Sequence, residues 1–254
     1  MRAELPDAFR TIPLAHRGYH DRSQGRIENS TSAVQAAVAA GYGIEIDLQL
    51  SSDGVAMVFH DEVLDRLTAQ TGPVNARTAA DLGRIPLRDS TDTIPTLRQI
   101  LDLIRGRVPL LIEIKDQSLR LSDTDGHLEA ATVTALSGYS GPVALMSFNP
   151  ASIAHLARLA PDLPRGLTTC AFDAVDWHPA TGATCDRLRL ILDYDPLECS
   201  FISHEAADLP RPRLAELSAN GAAILCWTIR TPAAEATART IAHNITFEGY
   251  PAKA

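Results

Sequence analysis

Long apolar runs are what this 254-residue chain most clearly lacks: charged side chains interrupt every stretch before it reaches the roughly 18 apolar residues of a membrane span. Its first residues carry Glu4, Pro6 and Asp7 where a secretory leader needs a basic start and an apolar run, so a cytoplasmic protein is expected. Cysteine is sparse too. Cys170, Cys185, Cys199 and Cys226 have no C-x-x-C spacing and no histidine at zinc-finger distance, which argues against a structural zinc site or a redox pair and for reduced, buried thiols. Positive charge is in deficit, with 23 Lys and Arg against 31 Asp and Glu and a net charge of -8. That balance works against polyanions, so neither a nucleic-acid partner nor stable membrane insertion is expected. No pattern speaks to oligomeric state. Asn29-Ser30-Thr31 and Asn244-Ile245-Thr246 match the glycosylation pattern, but a chain without an export signal does not meet that machinery.

What is present is enough apolar material for a real core, 45% of residues against 21% charged. The length suits two small domains or one barrel of about 250 residues, and periodicity decides between them. Eight short apolar runs recur, at 12–15, 43–48, 110–114, 143–148, 166–169, 201–203, 223–228 and 245–247. Most are continuous rather than alternating, as strands buried on both faces require.

Helical spacing fills the gaps. Leu97, Ile100, Leu101 and Ile104 form one apolar stripe, opened by Thr96 with Gln99 as a capping box and closed near Gly106. Val34, Ala37 and Val38 follow the cap candidates Asn29 and Ser30, and Ile153, Leu156 and Ala157 follow Asn149-Pro150 and stop before Pro161. Eight strands alternating with helices predict a closed (β/α)₈ TIM barrel in a single domain. An open nucleotide-binding sheet loses its main support, because neither G-x-G-x-x-G nor G-x-x-x-x-G-K-[ST] follows the first strand. The alternation breaks once. Asp53-Gly54 marks a tight turn after the second strand, and no helical pattern resumes until Thr96, so residues 52–95 are expected to form a small inserted subdomain.

Catalytic groups of such a barrel sit at the C-terminal ends of its strands, and those ends are polar here. They carry His16-Arg17-Gly18, Glu45 and Asp47, His60-Asp61 after the hairpin, and Glu113 and Lys115. Glu45 and Asp47 lie two apart and share one face, with Ile46 turned to the helices, and Glu113 and Lys115 repeat the pattern. Three converging carboxylates repel one another unless a cation neutralises them, and all-oxygen ligation suits Mg²⁺ or Ca²⁺. The plain alternative is a set of surface carboxylates paired with arginines.

His16 and His60, with ordinary pKa values near 6.5, suit paired proton transfer near neutrality. His127, His155, His178 and His243 are read as packing or hydrogen-bonding residues. Arg17 and Lys115 supply fixed charge for a phosphoryl group, or else salt bridges to Glu45 or Glu113. Phe148 and Trp227 offer aromatic faces to a substrate, or else fill the core; His204 and Glu248, also at strand ends, rank below them.

The order H-R-G, then Glu28-Asn29, then E-I-D-L-Q-L-S-S-D-G-V-A-M-V-F-H-D-E-V-L-D-R-L-T, then I-P-T-L and L-I-E-I-K resembles the glycerophosphodiester phosphodiesterase family. The likeness runs from Leu14 to Asp116, weakens through Met146 to Asn149, and resumes at Trp227-Thr228. It implies a TIM barrel with an insertion after the second strand. It also implies Glu45, Asp47 and Glu113 as ligands of a divalent metal, His16 and His60 as acid and base, and Arg17 and Lys115 on the phosphate of a small glycerophosphodiester. Two segments depart from the family pattern. Trp227-Thr228-Ile229-Arg230 stands for W-T-V-N, and residues 245–251 stand for G-I-I-T-D-x-P, which bears on the exact substrate. The rivals are a phospholipase D-like hydrolase of lysophospholipids or sphingolipids, a barrel isomerase or aldolase with a Schiff base on Lys115, and a phospho-ligand binder without turnover.

Overall fold

A computed structural model describes residues 2–253. Its strands are Leu14–Ala15 (β1), Gly43–Leu50 (β2), Ala56–Val58 (β3), Leu110–Ile114 (β4), Val143–Ser147 (β5), Arg165–Thr169 (β6), Phe201–Glu205 (β7), Ala223–Ile229 (β8) and Asn244–Phe247 (β9). Helices Ala8–Thr11 (α1), Thr31–Ala40 (α2), Ala79–Leu82 (α3), Leu97–Ile104 (α4), His127–Leu136 (α5), Pro150–Leu159 (α6), Gly182–Arg189 (α7), Pro212–Ala219 (α8) and Pro232–Ala238 (α9) lie between or before them.

All strands except β3 are parallel, and β1 bonds to both β2 and β9, which closes the barrel. All eight predicted strands exist, with no end shifted by more than two residues; the first starts at Leu14 rather than Ile12. The shift there has a cause. Pro13 cannot donate to a ladder, so the strand begins after it.

Why the runs are continuous is now visible. Ile46, Ile112, Leu145, Ile202 and Ile224 pack outward against Leu97, Ile100, Leu128 and Ile153 of the helices. Leu111, Ala144, Met146 and Phe201 pack with Leu14, Leu225 and Phe9 of α1 in a second cluster. Each fully buried Leu, Ile or Phe contributes about 1.5–3 kcal/mol relative to exposure, so both faces of a strand must be apolar except where function intervenes. The Thr96/Gln99 capping box forms as expected, and α4 ends in two left-handed residues, Arg105 and Gly106.

Between β2 and α4, where the sequence shows no helical pattern, a short helix nevertheless forms. After the Asp53-Gly54 turn comes β3, antiparallel to β2, then a 3₁₀ turn at Val74–Ala76 and the single helical turn α3, capped by Thr78. Only one turn forms, too short to show helical periodicity. Met57, Phe59, Leu64, Leu67, Val74 and Leu82 build a core of their own with Ile27.

All four cysteines are buried and free, and burial pushes the Cys170, Cys199 and Cys226 thiols up to about 12. Both glycosylation-pattern asparagines are buried as well, Asn29 at 1% and Asn244 at 0% exposure, where no glycan fits. Among the described residues, no helix is long and apolar enough to cross a membrane.

Candidate active site

Glu45 and Asp47 leave β2 on the same face while Ile46 joins the helix-side core. Strand register sets Asp47 beside Glu113 of β4, so three carboxylates from two neighbouring strands meet. One oxygen from each lies within 4.8 Å of the others, and all three side chains are buried. They line a cavity of about 660 Å³, together with His16, Arg17, His60 and Lys115.

The charges are unevenly compensated. Lys115 Nζ lies 2.8 Å from Asp47 Oδ1 and 2.7 Å from Glu113 Oε1, and Arg17 Nε lies 3.3 Å from Asp47 Oδ2. Asn29 Nδ2 donates to Asp47 at 2.9 Å. Burial would raise the Asp47 carboxyl, but Lys115, His60 and Arg17 together hold it well below the usual carboxylate range. Among the described residues, the Glu45 carboxylate accepts one hydrogen bond, from the Arg17 backbone N–H at 2.9 Å. Burial first, then the charges of Asp47 and Glu113, push its carboxyl well above the usual range.

His16 follows β1, its backbone N–H bonded to Phe247 of β9. Its Nδ1 donates to Glu248 Oε2 at 2.5 Å, and its Nε2 lies 4.0 Å from Glu45. The His16 hydrogen bond and the His20 ring, 3.5 Å away, hold the Glu248 carboxyl well below its ordinary value, so it stays an acceptor. Burial lowers the His16 pKa despite that partner. Gly18 then turns the chain at φ +79°, where a Cβ would lie 3.0 Å from Ala33; the turn and the close approach both require glycine.

His60 follows β3 and has the same kind of support, with Nδ1 2.7 Å from Asp61 Oδ1. In each case a carboxylate fixes the ring and the tautomer, leaving Nε2 for proton exchange.

Phe148 and Trp227 form an apolar part of the wall with Trp177, and the buried Phe172 packs against Phe148 and Trp177. Phe148 stands 4.8 Å from Trp177 and 5.5 Å from Trp227 between ring centroids, a closed cluster of mutually packed rings. Trp227 Nε1 donates to Ser203 O at 3.1 Å.

All nine residues singled out in the sequence as catalytic, phosphate- or substrate-contacting, or metal-ligating line this one cavity. Three others were missed or misjudged. Glu248, ranked low, reaches His16, with Arg230 Nε 2.7 Å from its other oxygen; the two departures from the family pattern thus pair with each other. His178, read as a packing residue, sits in the cavity wall beside Pro179. Trp177 comes from the long loop between β6 and α7, where no periodicity marks it. Of the other three histidines read as packing or hydrogen-bonding residues, His155 bonds to Thr124 O and His243 accepts from the Ile224 N–H, whereas His127 is exposed and pairs with the neighbouring Asp125 at 3.0 Å.

Comparison with known proteins agrees with this geometry. Residues 16–245 match the Glycerophosphoryl diester phosphodiesterase family. A glycerophosphodiester phosphodiesterase of Caldanaerobacter subterraneus is 31% identical over 182 residues, 68% of this chain and 72% of that protein. A phosphodiesterase of Oleispira antarctica, solved with its product sn-glycerol-3-phosphate, superposes with a TM-score of 0.77 at 24% identity, covering 96% of each chain. A glycerophosphodiester phosphodiesterase of Agrobacterium tumefaciens does so at 0.68 and 25% identity, over 92% of this chain and 94% of that one.

Proposed function

Since the chain belongs to the glycerophosphoryl diester phosphodiesterase family and is an enzyme of that class, we propose that it hydrolyses glycerophosphodiesters to sn-glycerol 3-phosphate and an alcohol, with a divalent cation and two histidines. The observation that carries this reading is the convergence of Glu45, Asp47 and Glu113 in the cavity that His16 and His60 share. The reaction takes place in one barrel domain, with residues 52–95 as its inserted subdomain.

The donor set fits a hard cation. It offers only oxygen, suited to Mg²⁺ or Ca²⁺, and burial together with the charges of Asp47 and Glu113 raises the Glu45 carboxyl, a strain that a bound cation relieves. Such an ion, when bound, screens the carboxylates and withdraws charge from a phosphoryl oxygen.

The protein's own groups account for the rest. Arg17 and Lys115 face the cavity as fixed cations and hold the phosphoryl oxygens. One histidine takes the proton of the attacking oxygen, of a water or of the glycerol's neighbouring hydroxyl, as the new P–O bond forms, and the other gives a proton to the departing alkoxide as the old bond breaks. Attack by water leaves both rings in the opposite protonation state, to be reset by proton exchange before the next turnover; attack by the glycerol hydroxyl gives a cyclic phosphate, which a water then opens with the two roles reversed. The apolar wall of Phe148 and Trp227 accommodates the less polar part of the substrate.

Incubating the protein with glycerophosphocholine, glycerophosphoethanolamine, glycerophosphoinositol and a lysophospholipid, with Mg²⁺ or Ca²⁺ present, is expected to release sn-glycerol 3-phosphate from at least one of the first three. Release of lysophosphatidate alone would favour the phospholipase D-like reading, which the aromatic wall and the exposed Leu119 at the cavity edge support. Binding without turnover would leave only a ligand-holding role. The aldolase reading is disfavoured by Lys115 itself: burial would lower its pKa, but Asp47 and Glu113 outweigh burial and raise it, which keeps the amine charged and non-nucleophilic.

Glu248→Gln tests the support of His16. The amide keeps the shape but loses the charge, and kcat is expected to fall about 10–100-fold, the usual cost of losing a partner that orients a reacting group. A kcat within twofold of the unmodified enzyme would show that Glu248 does not act on His16.

A further inference from the structure

Arg66 lies outside the cavity, in the inserted segment, yet it touches both sides of the site. Its Nε and Nη2 donate to Asp61 at 2.6 and 2.8 Å, and its Nη1 and Nη2 donate to Glu28 at 2.8 and 2.7 Å. Each carboxylate has a second task. Glu28 Oε1 accepts from Arg17 Nη1 at 2.6 Å, and Asp61 Oδ1 lies 2.7 Å from His60 Nδ1. One guanidinium therefore ties the arginine at the end of β1 to the histidine beyond β3. Neither Arg66 nor Glu28 lines the cavity, so neither reaches a substrate there.

The backbone that presents Arg66 is itself held. Leu64 and Leu67 are buried in the small core of the insertion, and the Thr68 N–H bonds to Leu64 O at 3.0 Å. A doubly forked contact of this kind needs the planar guanidinium, since an ammonium cannot offer two donors to each of two carboxylates in one plane.

We propose that Arg66 is a positioning residue for the hydrolysis, setting His60 through Asp61 and Arg17 through Glu28 at once, and that this bridge is what the inserted segment adds to the site besides His60 and Asp61 themselves. The proposal rests on the function assigned above. Loss of the bridge frees two side chains that must be aligned with the same phosphoryl group, and misplacement on the order of 1 Å costs about 10²-fold in rate.

The test uses the full-length enzyme with whichever glycerophosphodiester it cleaves fastest. Arg66→Ala is expected to lower kcat about 10²-fold with a much smaller change in KM, and methylguanidinium added at tens of millimolar is expected to restore part of the loss, because Arg66 is half exposed and the site it vacates opens to solvent. Arg66→Lys is expected to stay low although it keeps the charge. Three results would overturn the proposal: Arg66→Ala within twofold of the unmodified enzyme, Arg66→Lys with full activity, or a loss that methylguanidinium leaves untouched while the melting temperature falls in step. Inactivity of the unmodified enzyme on every diester would instead refute the assigned function, so the two failures are distinguishable.

Discussion

His16→Ala and His60→Ala are each expected to lower kcat by about 10²–10⁴-fold, the range a positioned general acid or base contributes, while the barrel stays folded. Folding should survive because both rings stand at the cavity wall rather than in a packed cluster: His16 has 13% and His60 30% of its side chain exposed. The two losses should not multiply. Each histidine serves the same transition state, so the double variant is expected to be little worse than either single one. An activated diester with an acidic leaving alcohol should separate the roles. The variant lacking the acid recovers much of its rate on that substrate, because the leaving group no longer needs a proton, whereas the variant lacking the base does not. Steady-state kinetics on both substrates with thermal melts as the folding control decide the matter, and retained activity in both single variants removes the acid–base assignment.

The second large effect lies in the carboxylates. Glu45→Gln, Asp47→Asn and Glu113→Gln are each expected to cost more than the about 10–100-fold that loss of even an outer partner of a metal ligand costs. Their thermal behaviour should differ from that of the unmodified enzyme in a specific way. An ion that binds only the folded state at 100 times its Kd stabilises by about 2.7 kcal/mol, or about 5–10 °C at this chain length. The three variants should show little of that rise. Proton competition gives the same site a pH signature. Because burial and the neighbouring charges raise the Glu45 pKa, an arriving cation must displace its proton. Ion affinity therefore increases as pH rises from the ordinary carboxylate value, about 4.3, toward the raised one, and declines as pH falls. An ion-induced shift equal in all four proteins places the cation elsewhere.

Much of this was legible in the chain because the barrel writes its constraints locally. A strand buried on both faces must be apolar along its length, so Glu45 and Asp47 inside β2 stand out as exceptions, and the two-residue spacing alone puts them on one face. Their meeting with Glu113 followed from strand order. The capping box at Thr96 was equally local, two residues three apart that satisfy each other's donors.

What escaped notice depends on contacts far apart in sequence. Glu248 lies 232 residues from His16, and only closure of β9 onto β1 brings them together. Arg66, on the segment whose pattern read as irregular, is 38 residues from Glu28. Both fall within the family-like stretch, and what joins them is a bridge between carboxylates that no periodicity records. Trp177 and His178 enter through a loop, where neither burial rhythm nor spacing distinguishes a cavity-wall residue from a solvated one.

One measurement bears most directly on the claim that Glu45, Asp47 and Glu113 hold a cation the hydrolysis needs. Protein stripped with excess chelator is assayed for sn-glycerol 3-phosphate release, then titrated with Mg²⁺ or Ca²⁺ while activity and bound ion are followed together. Activity is expected to vanish and to return in proportion to a single ion bound per chain, with neither ion binding nor recovery in Glu45→Gln. Full turnover in excess chelator would contradict the account.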